Sequence, residues 1–260
     1  MKANLIQTGL CAAALLSLAA AEQKTYTVII DQDTTPEQAA NALMRNILMD
    51  MSNEALEKRA RTGEEEAILE LGKRVSTGDY MPDDQEMACR CLRTAATAGD
   101  PAAIFEMGRF ALYGFGMEKN LQEAAEWFRK AAEAGNSEGW RILGTMIYNG
   151  VGTPPDTQEA INCWQKAVSA GNAAAHNDLG QCYFLGDGVP KDWGKAIDLW
   201  SKGAELGDAG SQFNLGVCYM NGEHVTKDTT KARHCFEQAA EQGHVGAIRA
   251  LHHMEQREAQ

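Results

Sequence analysis

Glycine returns every 36 residues along most of this chain, and that period constrains the fold more than any other feature. Gly72, Gly108, Gly144, Gly180 and Gly216 form one series. Gly63, Gly99, Gly135, Gly171, Gly207 and Gly243 form a second, and Gly78, Gly114, Gly150, Gly186 and Gly222 a third. Ala88, Ala124, Ala160, Ala196 and Ala232 keep the same step. Four ladders with one period define a repeat array, in which each repeat buries its apolar face only against its neighbours.

The content of one repeat gives the kind of array. Ala103, Met107, Gly108 and Ala111 place small and apolar groups at helical spacing, predicting a first helix. Gly114-Phe115-Gly116, Gly150-Val151-Gly152 and Gly186-Asp187-Gly188 then break it, since glycine tolerates the positive φ of a sharp helix end. Asp84, Asn120, Asp156, Asp192 and Asp228 share one position, where a side-chain oxygen caps the next helix; Glu123 and Glu159 follow three residues later, as in a capping box. The second helix carries Phe128, Trp164, Trp200 and Phe236 in one slot and stops at Gly135 and its equivalents. Asp100-Pro101, Asn136, Asn172 and Asp208 start the next repeat. The expectation is an all-α chain, an α/α solenoid of helix-turn-helix repeats.

Five repeats are expected at 64–99, 100–135, 136–171, 172–207 and 208–243, followed by a partial C-terminal cap at 244–260. Residues 36–63 read as a capping helix that ends in phase at Gly63, and 22–35 as a polar leader containing a short β-prone piece, Tyr26 to Ile30. Residues 1–21 have the layout of a signal peptide: Lys2, an apolar run from Leu10 to Ala20, and small Ala19 and Ala21 before Glu22. The run is too short for a stable membrane span, and an uncleaved anchor is the alternative. Leu10 before Cys11 does not fit a lipid-attachment site. The reading is export, to periplasm or extracellular space.

The chain holds 24 basic and 36 acidic residues, net −12, with 44% hydrophobic residues. Cleavage after Ala21 takes away only Lys2, so the mature chain carries −13 and six cysteines in place of seven. With no basic stretch, nucleic-acid binding has no electrostatic support. No other segment is apolar enough to cross a membrane, so the mature chain is read without a span.

Several strings resemble the Sel-like repeat family, α/α repeats related to tetratricopeptide repeats. They are Leu179-Gly180-Gln181-Cys182-Tyr183-Phe184-Leu185-Gly186-Asp187-Gly188-Val189-Pro190-Lys191-Asp192 with Lys195-Ala196 and Trp200, Leu215-Gly216-Val217-Cys218-Tyr219 with Lys231-Ala232, and Ala124 to Gly135. The resemblance covers roughly 64–254. The first repeat departs from it, with Val75 in the usual tyrosine slot and Asp79-Tyr80-Met81 in place of the glycine loop. The resemblance implies a non-catalytic adaptor or scaffold for protein complexes. The alternative it raises is a cell-wall protein that binds peptidoglycan or β-lactams, or a β-lactamase-like hydrolase.

The residues themselves offer little chemistry. None of Ser52, Ser76, Ser137, Ser169, Ser201 and Ser211 has lysine three residues later, the spacing that lets an amine reach a serine hydroxyl across a helical turn. Gly-x-Ser-x-Gly and His-Glu-x-x-His are absent from the sequence, and the glycine loops lack a phosphate-binding context. His224, His234, His244, His252 and His253 crowd the C-terminal end without the i, i+4 spacing of a shared helix face, so neither metal nor cofactor is expected. Glu64-Glu65-Glu66 and Asp83-Asp84 read as a helix start and a cap. An oxidising compartment makes the cysteines relevant. Cys182 and Cys218 share a slot in adjacent repeats, as Cys163 and Cys235 do two repeats apart, and parallel neighbours about 8–10 Å away are too far for a disulfide. Cys89 and Cys91 are too close on one helix and point apart. Helix-to-helix contacts leave Cys163–Cys182 and Cys218–Cys235 as possible disulfides, beside the reading of all six as buried thiols.

The first helix of each repeat turns one face away from the second. At ~100° per residue this face holds Phe105, Arg109, Leu112 and Tyr113, then Arg141, Thr145, Tyr148 and Asn149. The later repeats place Asn177, Gln181, Phe184 and Leu185 there, then Phe213, Val217, Met220 and Asn221. This set changes from repeat to repeat. The resemblance implies that such a face lines a concave groove for a protein or peptide partner. Trp193 is read as an exposed second contact, and Trp140 as lying on the core side.

Overall fold

The computed structural model describes residues 35–258 apart from Glu223. The expected signal peptide at 1–21, Cys11 and the β-prone piece lie outside the described residues. Thirteen helices, and no strand among the described residues, follow one another: α1 Pro36–Asp50, α2 Asn53–Arg61, α3 Glu65–Thr77, α4 Gln85–Thr97, α5 Pro101–Tyr113, α6 Leu121–Glu133, α7 Ser137–Asn149, α8 Thr157–Ser169, α9 Ala173–Leu185, α10 Trp193–Glu205, α11 Ala209–Asn221, α12 Thr229–Glu241 and α13 Val245–Glu258. Helices α3 to α12 have 13 residues each and form five helix pairs, an all-α solenoid. The helices before and after them occupy the expected cap regions.

The starts and stops have local causes. Asp84, Asn120, Asp156, Asp192 and Asp228 each accept a hydrogen bond from the backbone N–H three residues on, and so do Asp100, Asn136, Asn172 and Asp208. Each such cap stabilises its helix by about 1 kcal/mol. The reciprocal half of the capping box does not form. Glu123 accepts instead from Trp127 Nε1, and Glu159 pairs with Arg129 of the preceding repeat. Gly135 and its equivalents take positive φ directly after the second helices.

The chain divides into two compact bodies, one running to Met107 with Phe115–Met117, the other comprising Gly108–Gly114 and the residues from Glu118 onward. In the first, the expected single helix over 36–63 is two helices. Met51 turns to ψ 146° and Ser52 caps α2 through the N–H of Ala55. The cause is a long-range contact: the guanidinium of Arg74, from α3, donates to the carbonyls of Leu48, Met49 and Met51 at the end of α1. Its core joins Leu48, Leu56, Leu71, Met87 and Cys91. The atypical loop is anchored by Tyr80, whose hydroxyl donates to Glu57 at 2.5 Å.

That bond sets opposite shifts. Hydrogen bonds from Tyr80 and then Arg61 hold Glu57 below the usual carboxylate range, and the bond to Glu57, with burial, pushes Tyr80 up to about 12. A depressed carboxylate stabilises the fold above its unfolded value and loses this as pH falls through the folded one. A raised phenol contributes below its unfolded value, about 10, and loses this as pH rises through about 12. Tyr80→Phe is therefore expected to cost about 1 kcal/mol at neutral pH. The penalty should shrink below pH ~4 and again between pH ~10 and 12 in urea titrations; a penalty constant from pH 3 to 12 would show that the bond does not matter.

In the second body, α7 packs on α8, α9 on α10 and α11 on α12, and each pair packs on the next. The periodic glycines in α5, α7, α9 and α11 are explained here. A Cβ on Gly108, Gly144, Gly180 or Gly216 would lie 2.6–2.8 Å from the ring of Phe128, Trp164, Trp200 or Phe236 respectively. The missing side chain lets the aromatic ring of the second helix sit against the backbone of the first.

Candidate functional site: the exposed face of the first helices

The variable face belongs, in the second body, to α7, α9 and α11 and to residues Arg109–Tyr113 at the end of α5; Phe105 lies in the first body. The structure separates these residues into two groups. Arg109, Tyr113, Tyr148, Asn149, Gln181, Leu185 and Asn221 are exposed, Tyr113 at 59% and Leu185 at 55%. Phe105, Arg141, Asn177, Phe184, Phe213 and Met220 are half-buried.

The half-buried group is largely engaged inside the protein. Arg141 donates to both oxygens of Glu138 and, at 3.4 Å, to Asp178 on the next first helix. Asn172 adds a bond to Glu138 at 2.9 Å. Burial acts to raise Glu138, but the hydrogen bonds from Arg141 and Asn172 outweigh it and its carboxyl titrates below the usual range. Asp178, with only the longer contact to Arg141, is pushed up by burial. Asn214 donates to Asn177 across two first helices at 2.8 Å. Phe184 packs on Trp200, and Phe213 lies between Phe236 and His244. Arg141, Asn177 and Phe213 therefore serve first to fix neighbouring repeats in register, while Phe184 packs the two helices of its own repeat together. Tyr148 does so at its tip, where its hydroxyl donates to Asp187 and its own titration is raised by that bond.

The six cysteines among the described residues are buried free thiols, so neither Cys163–Cys182 nor Cys218–Cys235 is bonded here. Cys218 packs with Ala196 and Trp200 of the preceding repeat, whereas Cys235 faces Gly216, so the two side chains serve different contacts. Cys163 is flanked by Glu159, Arg129 and Lys166, and Cys182 by Asp187 and Asp178, again two separate surroundings. Burial pushes Cys91 and Cys182 up to about 11, which keeps them protonated and poorly nucleophilic at neutral pH. The clustered histidines do different things: His244 accepts from Ala247 N at the start of α13, His252 contacts Gln256, and His224 stacks on Trp193. Among the described residues, no three His, Cys, Asp or Glu stand together as a metal set, and no described helix is long and apolar enough to cross a membrane. Trp193 is exposed as expected, and Trp140 is half-buried beneath the ammonium of Lys166 at 4.0 Å.

The sequence reading missed His176, 5% exposed, whose Nδ1 contacts the Asn172 carbonyl, and the buried Ser211 and Gln212. The available signal was positional. His176 and Gln212 fill the slot of Ile104 and Ile248, and Ser211 a slot otherwise held by alanine or glycine.

This combination of helix pairs, glycine–aromatic seams and a variable exposed face defines an α/α repeat protein. The Sel1 repeat matches residues 65–100, 101–136, 141–172, 173–208 and 209–244, and the chain belongs to the Sel1 repeat family. A Sel1 repeat protein from Oxalobacter formigenes has a crystal structure similar to this one, with 31% identity, TM-score 0.67 and 82% of each chain covered. A protective antigen of uropathogenic Escherichia coli with an SLR fold is similar at 28% identity and TM-score 0.54, over 81% of this chain and 53% of that one. No curated protein matches the chain. Proteins of this family are generally scaffolds for protein–protein interaction and generally non-catalytic.

Proposed function

We propose that this chain is an exported, non-catalytic adaptor that holds a protein or peptide segment along the exposed face of its first helices. The observation that carries this reading is the contrast between repeated buried slots and an exposed row, Tyr148, Asn149, Gln181, Leu185 and Asn221, whose exposed residues change from one repeat to the next. A solenoid needs its seams to repeat; its free face is under no such requirement and can be shaped to a partner. Because Arg141 is committed to Glu138 and Asp178, it is a stabilising group whose loss would confuse a binding test.

The test uses Asn149→Ala, Gln181→Ala and Leu185→Ala together, all at exposed positions. The triple variant should melt within a few degrees of the parent and fail to retain a partner that the parent captures from the exported-protein fraction. Equal retention by both chains would refute binding through this face. Export itself predicts that the protein recovered from that fraction begins at Glu22; an intact leader on a cell-retained chain would refute it. Neither the geometry nor the comparisons favour the cell-wall reading.

A further inference from the structure

Two methionines of the first body break the burial pattern of the rest. Among the described methionine side chains, Met51, Met87, Met107 and Met146 are buried, and Met117, Met220 and Met254 are half-buried. Within that set Met49 and Met81 alone are exposed, at 55% and 57%. Methionine ordinarily fills gaps in a core, so two sulfurs in water call for a cause.

Local anchoring supplies it. Met81 stands in the atypical loop between Tyr80, whose hydroxyl is bonded to Glu57, and Pro82, which is fully buried. With both neighbours pinned, the side chain between them is held outward. Met117, Thr153, Val189 and Val225 occupy the same place in the other four repeats, and all are half-buried. Met49 follows Leu48, 3% exposed, at the end of α1, and Arg74 holds its carbonyl at 2.8 Å. The Arg74 carbonyl in turn accepts from Tyr80 N–H at 3.2 Å, so one residue ties down both segments. Met51, two residues from Met49, is the opposite case. It is 7% exposed, and its sulfur accepts from the Arg59 guanidinium at 3.5 Å.

We propose that Met49 and Met81 form an oxidant-accepting modification site, converted to sulfoxides by a peroxide while the fold stays intact. The sulfur lone pair attacks one oxygen of hydrogen peroxide. The S–O bond forms as the O–O bond breaks, and sulfur gives up two electrons to the peroxide. The departing hydroxide takes the proton of the transferred oxygen and leaves as water. At residues 49 and 81 the new S–O dipole is solvated, so no polar group is buried. At Met51 the same oxygen would enter the core that holds Leu48 and Leu56. The site is independent of the exposed row on the first helices of the second body.

The test treats the full chain with hydrogen peroxide and follows each methionine by mass spectrometry of its proteolytic peptides. Fragment ions separate Met49 from Met51 and Met81 from Met87. Met49 and Met81 should take up oxygen about tenfold faster than Met51, Met87, Met107 and Met146. In denaturing urea the difference should vanish, because the fold and not the neighbouring sequence sets it. The chain oxidised at both sites should melt within about 2 °C of the parent. Met51 or Met87 reacting as fast as the exposed pair in the folded chain would overturn the assignment. So would a rate difference that survives in urea, or a melting temperature lowered by about 5 °C or more once Met49 and Met81 alone carry oxygen.

Discussion

Trp164→Ala and Trp200→Ala are each expected to lower the free energy of unfolding by about 3–5 kcal/mol, the usual cost of emptying a buried aromatic site. Both rings are buried, at 4% and 2% exposure, against a glycine of the preceding helix, so the vacated space has no neighbouring side chain on that helix to fill it. Phenylalanine separates the two positions. Trp164 Nε1 donates to the Arg141 carbonyl at 3.2 Å, whereas Trp200 Nε1 is buried without a partner. Trp164→Phe loses a hydrogen bond; Trp200→Phe loses only ring volume and also removes an orphaned donor. We expect Trp164→Phe to be the more damaging by about 1–2 kcal/mol. Urea denaturation of the four variants measures this, and equal losses for the two phenylalanines would show that the unpartnered indole has no energetic consequence.

Gly203→Ala is expected to destabilise by about 2 kcal/mol, although alanine is the better helix former and stands at this slot in Ala131, Ala167 and Ala239. The new methyl would lie 2.2 Å from Ser211 Oγ and 3.1 Å from His176 Cβ. Ser211 is fully buried and its hydroxyl has no partner. Serine here occupies the volume that a methyl on residue 203 fills in other repeats. Ser211→Ala alone should be neutral or slightly stabilising. The double variant recreates the pair Ala167 and Ala175, and should be at least as stable as the parent, by up to about 1–2 kcal/mol. A double variant no better than Gly203→Ala would show that the clash lies not with the hydroxyl but with the contacts that remain, the Cβ of residue 211 at 2.9 Å and that of His176 at 3.1 Å.

Ser211 and Gly203 also mark the limit of what the period alone reveals. Helix starts and stops were legible because their causes lie within three or four residues: Asp192 caps the N–H of Lys195, and Gly186 ends α9 at positive φ. The alternation of Gly180 with Trp200 was legible as a pattern, and the structure supplied its cause in the close approach of ring and backbone. The break between α1 and α2 was not legible, since it depends on Arg74, more than twenty residues away, taking three carbonyls at the end of α1. The residues of the candidate face were legible as one side of the first helices in a helical projection, but their division into engaged and exposed members was hidden. Arg141 and Asn177 look like available polar groups in a helical projection and are tied to Asp178 and Asn214 in the next repeat.

The sequence by itself determined the repeat, its helix pair and the residues that seal each seam, because a 36-residue period and local caps are written in every copy. Only the tertiary structure decided which polar side chains are spent between copies and which remain for a partner. Those contacts join residues 30 to 39 positions apart, such as Arg129 with Glu159 and Tyr148 with Asp187. Their geometry is set by the stacking of whole repeats. No local propensity encodes whether Trp193 will find His224 above it.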